Sequence, residues 1–396
     1  MSLTPIHEAL TTILADASYK PAVETTPLQA LPGRVLAETV ESPMNVPPWD
    51  NSAMDGYAVD TASLQFDTIF SVSQKIFAGV KPEPLLANTV ARIFTGAAVP
   101  EGADAIVMQE DVVATPQGVT FKTLPSVGQH IRRAGEDISL GQQLYSKGET
   151  LSVNDLPVLA SIGKAELNVH KPLRVAVFST GDELIEPGLP LQAGQIYNSN
   201  RVLLQGLLEQ CSCEYIDAGV VPDNLAATEQ ALLDLSVKAD LIISTGGVSV
   251  GEADFLKEAL ANVGRVNLWK MAIKPGKPLV YGRVGDCPYF GLPGNPSSAF
   301  VTFHVIVKPY LDAMLGRTDS GITHYAKTDF EWPKAGSRQE YLRVQLYQDG
   351  YEQRLRLYPN QSSGAVSSFA WGNALAIVPI GAVFEKDSVL EVLPFL

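Results

Sequence analysis

The sequence predicts a multidomain protein of class α/β plus β. Three observations support this prediction. A chain of 396 residues is too long for one hydrophobic core. From about residue 171, apolar strands alternate with helices, which is typical of a mainly parallel sheet covered on both faces. Runs of strands without helices lie before and after this region, and those after it indicate a small terminal barrel or sandwich.

Cap residues and turn signals predict the helices and strands before residue 171. Thr4, as an N-cap ahead of Pro5, predicts an amphipathic first helix. Short β-type runs separated by proline and glycine turns fill residues 45–138. A second helix is expected over 154–162, with Gly163 ending it. We expect this helix to pack on the first one, which would make the flanking segments one discontinuous domain.

The α/β region has the clearest periodicity. Its predicted strands span 173–180, 214–221, 240–247 and 288–292, and its predicted helices span 200–209, 223–238, 254–263 and 297–315. The predicted domains are therefore a small helical and β domain (1–44 with 139–170), a β-rich domain (45–138), the α/β domain (171–318) and a C-terminal β domain (319–396).

Charge and cysteine content exclude several classes of function. Acidic residues exceed basic ones by 43 to 29, which gives a net charge of −14. Such a charge repels phosphate backbones and anionic lipids, so general binding to nucleic acid or membrane surfaces is not expected. The three cysteines form no metal-ligand array with the five histidines and fit a reducing cytoplasm. We also find no export signal and no apolar run of membrane-span length, and we expect a cytoplasmic protein.

Polar loops follow each strand of the α/β region. They span 180–184, 221–224, 244–254 and 291–298. The carboxyl ends of parallel strands meet at one sheet edge, where ligands bind in open α/β folds. The sequence therefore predicts a ligand site at this edge.

Two of these loops have the composition of an anion site. In residues 244–251, glycines allow backbone N–H groups to surround a phosphate, and the following helix adds donors. The loop matches neither the Walker A motif nor the dinucleotide fingerprint, and an ordinary glycine-rich turn is an equal alternative. The loop 291–298 fits either an anion site or a rigid turn with Ser297 and Ser298 as N-caps.

Basic residues are concentrated immediately before the last of these loops. Arg265, Lys270, Lys274, Lys277 and Arg283 have no acidic residue between them. A run of this kind is usually a solvated face, but beside two anion-type loops it favours a clamp for phosphate or another oxyanion.

Carboxylates are predicted at the same sheet edge. Asp182, Glu183, Asp223, Glu252 and Asp254 offer the hard oxygen ligands that suit Mg²⁺. Asp223 and Asp254 are alternatively helix N-caps. No motif for acyl transfer or zinc hydrolysis is present. The residues thus support a phosphate-handling site assisted by Mg²⁺.

The β-rich domain also has polar turns. They contain Asp50, Asp55, Thr95, Glu110, Asp111, Arg132 and Asp137. Turn chemistry alone accounts for about half of these residues. Sequence patterns do not place them near the α/β edge.

Segments along nearly the whole chain resemble the molybdopterin molybdenumtransferase family, MoeA, which includes the E domain of gephyrin and a plant counterpart. They are NSAMDGYAV, IFTGAAVPEGADAIVMQED, RRAGEDI, STGDEL, GQIYNSN, STGGVSVGEADF, AIKPGKP and GLPGNPSSAF, in this order. The resemblance implies an elongated four-domain homodimer with a three-layer α/β domain similar to the adenylyltransferase MogA. It also implies an active site between this domain and the β-rich domain of the other subunit.

The resemblance further implies a reaction and its residues. Molybdenum from molybdate would enter adenylylated molybdopterin in an Mg²⁺-dependent step that releases AMP. Asp55, Thr95, Arg132 and Asp137 would line the site from the second domain. Glu183, Asp223 and Asp254 would contact Mg²⁺ or polar groups of the pterin, while Lys270 and Lys274 would neutralise molybdate or the phosphoanhydride. The other expected substrate-binding residues are Thr245, Gly246, Gly247, Ser249, Pro293, Gly294, Asn295, Pro296, Ser297 and Ser363.

Two other functions stay open at this point. The first is a molybdopterin adenylyltransferase, although that group typically has a GGTG-type turn where this chain has Val248 and Ser249 after two glycines. The second is a non-catalytic scaffold similar to gephyrin. The resemblance also implies transient contacts with a molybdopterin adenylyltransferase and with maturation factors of molybdoenzymes.

Overall fold

A computed structural model describes residues 3–17, 21–248, 255–318 and 321–395 of the chain. A six-stranded sheet forms its centre, in the order Glu214–Val221, Arg174–Thr180, Leu241–Thr245, Cys287–Leu292, Pro278–Val284 and Arg265–Lys270. The first four strands are mutually parallel, and the last two are antiparallel additions at one edge. The four parallel strands were predicted, whereas the two antiparallel strands were not.

Helices cover both faces of this sheet. Ser199–Gln210 and the succession Pro296–Thr302, Phe303–Val307 and Lys308–Leu315 pack on one face. Leu225–Ser236 and Phe255–Val263 pack on the other. This arrangement confirms the three-layer α/β prediction. The predicted helix over 297–315 differs in one respect, because a π-helical turn at Phe303–Val307 interrupts it.

The first helix packs differently from the expectation. It spans Ile6–Ala15 and buries Ile6, Ala9 and Ile13 in the core of the α/β domain, not against the helix Asp155–Ser161. Thr4 is not its N-cap, because Pro5 occupies that position and no side chain caps the helix. The Thr4 backbone N–H donates instead to the Lys270 carbonyl. The position of this helix depends on contacts with residues far along the chain, which local periodicity does not reveal.

The remaining N-terminal segments form the small domain with residues that follow the β-rich region. Val23–Pro27 pairs antiparallel with Glu166–His170, and Val40–Glu41 pairs with Gln143–Tyr145. Asp155–Ser161 packs against the 3₁₀ turn Leu28–Ala30. One hydrophobic cluster contains residues from before and after the β-rich region. The domain boundaries themselves stay predictions.

Residues 45–138 are rich in short strands, in line with their sequence pattern. A four-stranded sheet has the order Ser71–Ile76, Thr89–Ile93, Gly56–Val59 and Ala105–Met108. A hairpin joins Val112–Thr115 to Gly118–Phe121, and a short ladder joins Asn51–Ser52 to Ile131–Arg132.

The C-terminal strands close into a barrel. The order is Gln339–Asp349, Glu352–Leu357, His324–Thr328, Val389–Pro394 and Ala374–Val378, and the last of these pairs again with the first. The short strand Ile273–Lys274 adds to the barrel from the α/β domain, and the helix Ser367–Trp371 lies between barrel strands. The predicted barrel is therefore confirmed.

Among the described residues, no helix combines the length and the apolar character needed to cross a membrane.

Candidate active site

A pocket of about 410 Å³ opens at the carboxyl edge of the parallel strands, which is the edge predicted from the sequence. Its volume lies within the range of small-molecule sites. We call it the sheet-edge pocket. Its lining residues are Thr180, Glu183, Leu184, 196–200, 245–248, Pro278 and 293–296.

The glycine turn after the strand Leu241–Thr245 forms one wall of this pocket. Gly246 and Gly247 have φ values of +88° and +61°, which residues with a side chain rarely adopt. The Gly246 N–H donates to the Leu292 carbonyl at 3.2 Å. The N–H groups of Gly247 and Val248 have no acceptor among the described residues. The turn can therefore offer backbone donors to an anion, as the loop composition predicts.

Buried hydroxyl and amide groups hold this wall in place. Ser179 Oγ lies 3.0 Å from Thr245 Oγ1, and Asn198 Nδ2 donates to Ser179 Oγ at 3.1 Å. Asn198 is also the N-cap of the helix Ser199–Gln210, because its side chain accepts from the Arg201 backbone N–H. One small network thus ties two strand ends to a helix start.

Two polar atoms in the pocket lack hydrogen-bond partners. Thr180 Oγ1 and Asn200 Oδ1 are buried and have no partner among the described residues. A hydrogen bond from Asn200 Nδ2 to the Gly294 carbonyl, at 2.7 Å, fixes the orientation of the Asn200 side chain. Neither residue was predicted from the sequence as a site residue. In the sequence, the polar residues around Asn198 and Asn200, directly before a predicted helix, could have indicated this part of the pocket.

The predicted carboxylates lie at the same edge as the pocket. Glu183 lines the pocket and is exposed, while Asp223 is half-buried. Burial, together with the negative charges of Asp182 and Glu183, raises the pKa of Asp223. Asp223 is not a helix cap, because Asn224 accepts from the Ala227 N–H and caps the helix. The Asp223 carboxylate is thus held near other acids without a capping role.

The loop 291–298 forms the adjoining part of the pocket wall. Pro293, Gly294, Asn295 and Pro296 line the pocket, and Asn295, not a serine, occupies the N-cap position of the next helix. Ser297 is fully buried, and its backbone N–H donates to the Ser363 carbonyl at 2.9 Å. Ser363 therefore reaches this loop from the C-terminal domain, although through its backbone.

The predicted basic residues lie outside the sheet-edge pocket. Lys274 forms a 2.9 Å ion pair with Glu340 and lines a separate cavity of about 490 Å³ next to the barrel. Lys270 ends an edge strand that pairs with Pro278. Arg283 and Arg265 lie 2.8 and 3.8 Å from the Asp16 carboxylate. Part of the basic run thus has partners far away in the sequence.

The predicted residues of the β-rich domain lie in its turns and short strands, where Thr95, Arg132 and Asp137 are exposed and Asp55 is half-buried. Asp55 Oδ1 accepts from the backbone N–H and the hydroxyl of Thr95 at 2.8 and 2.7 Å, and these bonds lower the pKa of Asp55. Arg132 pairs through its backbone with Asn51, and Asp137 follows close by. Within the described part of one chain, no hydrogen bond or ion pair joins this group to the pocket. We call Asp55, Thr95, Arg132 and Asp137 the second-domain group.

Two predicted site residues, Ser249 and Asp254, lie outside the described residues, as does Glu252.

Known sequence families cover most of the chain. The MoeA N-terminal region (domain I and II) matches residues 4–163, a probable molybdopterin binding domain matches residues 176–313, and the MoeA C-terminal region (domain IV) matches residues 325–395.

Individual proteins agree with these matches. The chain is 47% identical to a molybdopterin molybdenumtransferase of Haemophilus influenzae over 314 residues, which cover 79% of this chain and 78% of that protein. It is 36% identical to a protein of the same name from Synechococcus elongatus over 95% of each chain. A crystal structure of a molybdopterin biosynthesis MoeA protein from Pyrococcus horikosii superposes with a TM-score of 0.86 at 29% identity, covering 99% of both chains. The chain therefore belongs to the MoeA family.

Proposed function

We propose that the chain is a molybdopterin molybdenumtransferase, which inserts molybdenum from molybdate into adenylylated molybdopterin and releases AMP. As a member of this family it is a transferase that handles molybdopterin and molybdate. The observation that supports the proposal most directly is the sheet-edge pocket, because its glycine turn has backbone N–H groups with no acceptor within the described part of the chain, which suits a phosphate group.

Different groups of the chain would bind the phosphate and hold the pocket wall in position. The N–H groups of Gly247 and Val248 would hold the phosphate and stabilise charge that develops on the departing AMP. The network of Ser179, Asn198 and Thr245 would keep these donors in position. No protein nucleophile is required, because an oxygen of molybdate or of water can attack the phosphoanhydride.

Magnesium fits this site only as an ion shared with substrate. Among the described residues, no group of three or more His, Cys, Asp and Glu side chains is arranged to hold a metal. Mg²⁺ commonly uses one or two protein carboxylates together with phosphate oxygens, and the raised pKa of Asp223 indicates a position where a cation would be favourable. Asp223 and Glu183 would hold the ion, and Asp254 is a further candidate from the sequence. When bound, Mg²⁺ would neutralise charge on the leaving phosphate.

We further propose that the complete site forms in a homodimer. Among the described residues, no hydrogen bond or ion pair joins the second-domain group to the pocket of its own chain, so a second copy of the chain could bring the group there. Contacts with a molybdopterin adenylyltransferase and with molybdoenzyme maturation factors, and a cytoplasmic location, also belong to this proposal. The relatives described above do not favour the adenylyltransferase or the scaffold.

The activity can be tested with purified protein, adenylylated molybdopterin, Mg²⁺ and molybdate. We expect AMP release that depends on molybdate and on Mg²⁺, and a product that activates a cofactor-free molybdoenzyme. Consumption of ATP with formation of pyrophosphate would instead identify an adenylyltransferase. Tight pterin binding without turnover would identify a carrier or scaffold.

The composite site can be tested by mixing two inactive variants, Asp55→Ala and Asp223→Ala. Each variant homodimer should lack activity, because every site misses one carboxylate. In a mixed dimer one of the two sites receives both intact residues, so random mixing at equal amounts should restore about a quarter of the wild-type activity. Size-exclusion chromatography with light scattering would confirm that both variants still dimerise. If the co-expressed variants stay inactive although mixed dimers form, the two residues do not meet across an interface.

A further inference from the structure

Two buried oxygen atoms of the sheet-edge pocket make no hydrogen bond within the described part of the chain. Thr180 and Asn200 are each only 7% exposed, and Thr180 Oγ1 and Asn200 Oδ1 have no hydrogen-bond partner among the described residues. A buried polar atom without a partner costs free energy, so such atoms are uncommon in folded proteins unless something else satisfies them. Both residues line the same ligand-sized pocket.

The two residues lie on a continuous piece of the pocket wall. A methyl group placed on Gly246 would lie 3.0 Å from Thr180 Oγ1, and a methyl group on Gly294 would lie 3.7 Å from the Gly246 Cα. Asn200 Nδ2 donates to the carbonyl of the same Gly294 at 2.7 Å. Thr180 and Asn200 therefore flank the two glycines at the contact between the two loops.

The chemistry of Asn200 limits what it can bind. One N–H of its amide donates to the Gly294 carbonyl, which fixes the orientation of the side chain. The amide oxygen without a partner can only accept a hydrogen bond. A phosphate oxygen offers no donor to such an atom when it is ionised. An N–H or O–H group does, and both parts of the proposed substrate carry such groups on the pterin, the adenine and the ribose. The Thr180 hydroxyl can either donate or accept.

We propose that Asn200 Oδ1 accepts a hydrogen bond from an N–H or O–H group of the bound substrate, and that the Thr180 hydroxyl contacts the substrate beside it. This inference rests on the proposed function for the identity of the substrate. It assigns a part of the pocket to the uncharged portion of the ligand, whereas the N–H groups of Gly247 and Val248 serve the phosphate.

The test for Thr180 uses a change of one hydroxyl to a methyl group. Thr180→Val removes the unpartnered oxygen and keeps the shape of the side chain. Thr328 provides a matched control, because it is fully buried in the barrel and its Oγ1 likewise has no partner among the described residues. We expect unchanged or higher thermal stability in both variants. The dissociation constant of molybdopterin or of AMP, each titrated alone, should rise about tenfold for Thr180→Val. Thr328→Val should bind like the wild type.

The test for Asn200 compares Asn200→Ala with Asn200→Asp. Both variants lose the donor to Gly294, and Asn200→Asp also places a carboxylate oxygen near the Gly294 carbonyl, so the thermal unfolding of both variants is measured as well. Only Asn200→Asp retains an acceptor oxygen. We expect Asn200→Ala to bind at least one of the two ligands about tenfold more weakly than the wild type, and Asn200→Asp to bind that ligand more tightly than Asn200→Ala. The separate titrations show whether the pterin or the nucleotide carries the donor.

Unchanged binding of both ligands by Thr180→Val and Asn200→Ala would overturn the inference. If the wild type binds both ligands but releases no AMP with molybdate, the proposed function fails and the binding assignment stands. If the wild type turns over normally and the variants bind normally, only the assignment fails.

Discussion

Gly246→Ala should lower the rate of molybdate-dependent AMP release by about 100-fold or more. The residue has φ +88°, and its new methyl group would lie 2.5 Å from the Thr180 carbonyl oxygen. A Cβ at such a distance from backbone is not tolerated, and the left-handed conformation costs about 1 kcal/mol in addition. The turn would have to move away from the strand end, and its N–H groups would leave the position of the phosphate.

A matched glycine provides the control for this prediction. Gly194 has the same φ of +88° but no atom within 4 Å of the position of an added methyl group. Gly194→Ala carries the conformational cost without the clash, so its activity should stay close to that of the wild type. The measurement is the initial rate of AMP release for both variants, together with their thermal unfolding. Equal rates for the two alanine variants would mean that the close approach at Gly246 is unimportant for the reaction.

Asp16→Ala should reduce the free energy of unfolding by about 3 kcal/mol. Asp16 follows the first helix and accepts hydrogen bonds from Tyr281 and from Arg283, whose Nε lies 2.8 Å from its carboxylate. Burial alone would raise the pKa of Asp16, but the hydrogen bonds from Arg283 and Tyr281 outweigh it and lower the pKa. The Arg283 side chain is only 11% exposed, and Asp16 is its one carboxylate partner among the described residues, so removal of Asp16 leaves the buried charge without that partner.

The contribution of Asp16 to the free energy of unfolding also depends on pH. Because the pKa of this carboxyl is lower in the folded state, its stabilising effect is present above the unfolded value of 3.8 and is lost as the pH falls through the folded value. Urea unfolding at pH 7 measures the main effect. Glu352→Ala is the control, since this side chain is 48% exposed and its ion pairs lie at the surface, where solvent screens them and they contribute little to stability. A loss no larger than that of the control would show that Asp16 does not anchor the first helix.

The α/β domain could be predicted from the sequence because the patterns that indicate its strands and helices are local in the sequence. The strands Arg174–Thr180, Glu214–Val221, Leu241–Thr245 and Cys287–Leu292 are short apolar runs, and amphipathic helices separate them. A mainly parallel sheet follows from this alternation, and with it the single edge where the four polar loops meet. The glycines of the turn at Gly246 were selected for the same reason, since a glycine at a strand end signals an unusual backbone.

Only the tertiary structure decided which side chains meet at that edge. Asn200 reaches the carbonyl of a residue 94 positions away, and Asp16 pairs with an arginine 267 positions away. Nothing local in the sequence signals either contact. For the same reason the basic run near Lys274 was expected at the pocket, although Glu340 of the barrel pairs with Lys274 in a different cavity. Short-range periodicity determines elements, whereas the partner of a polar side chain depends on how distant elements pack.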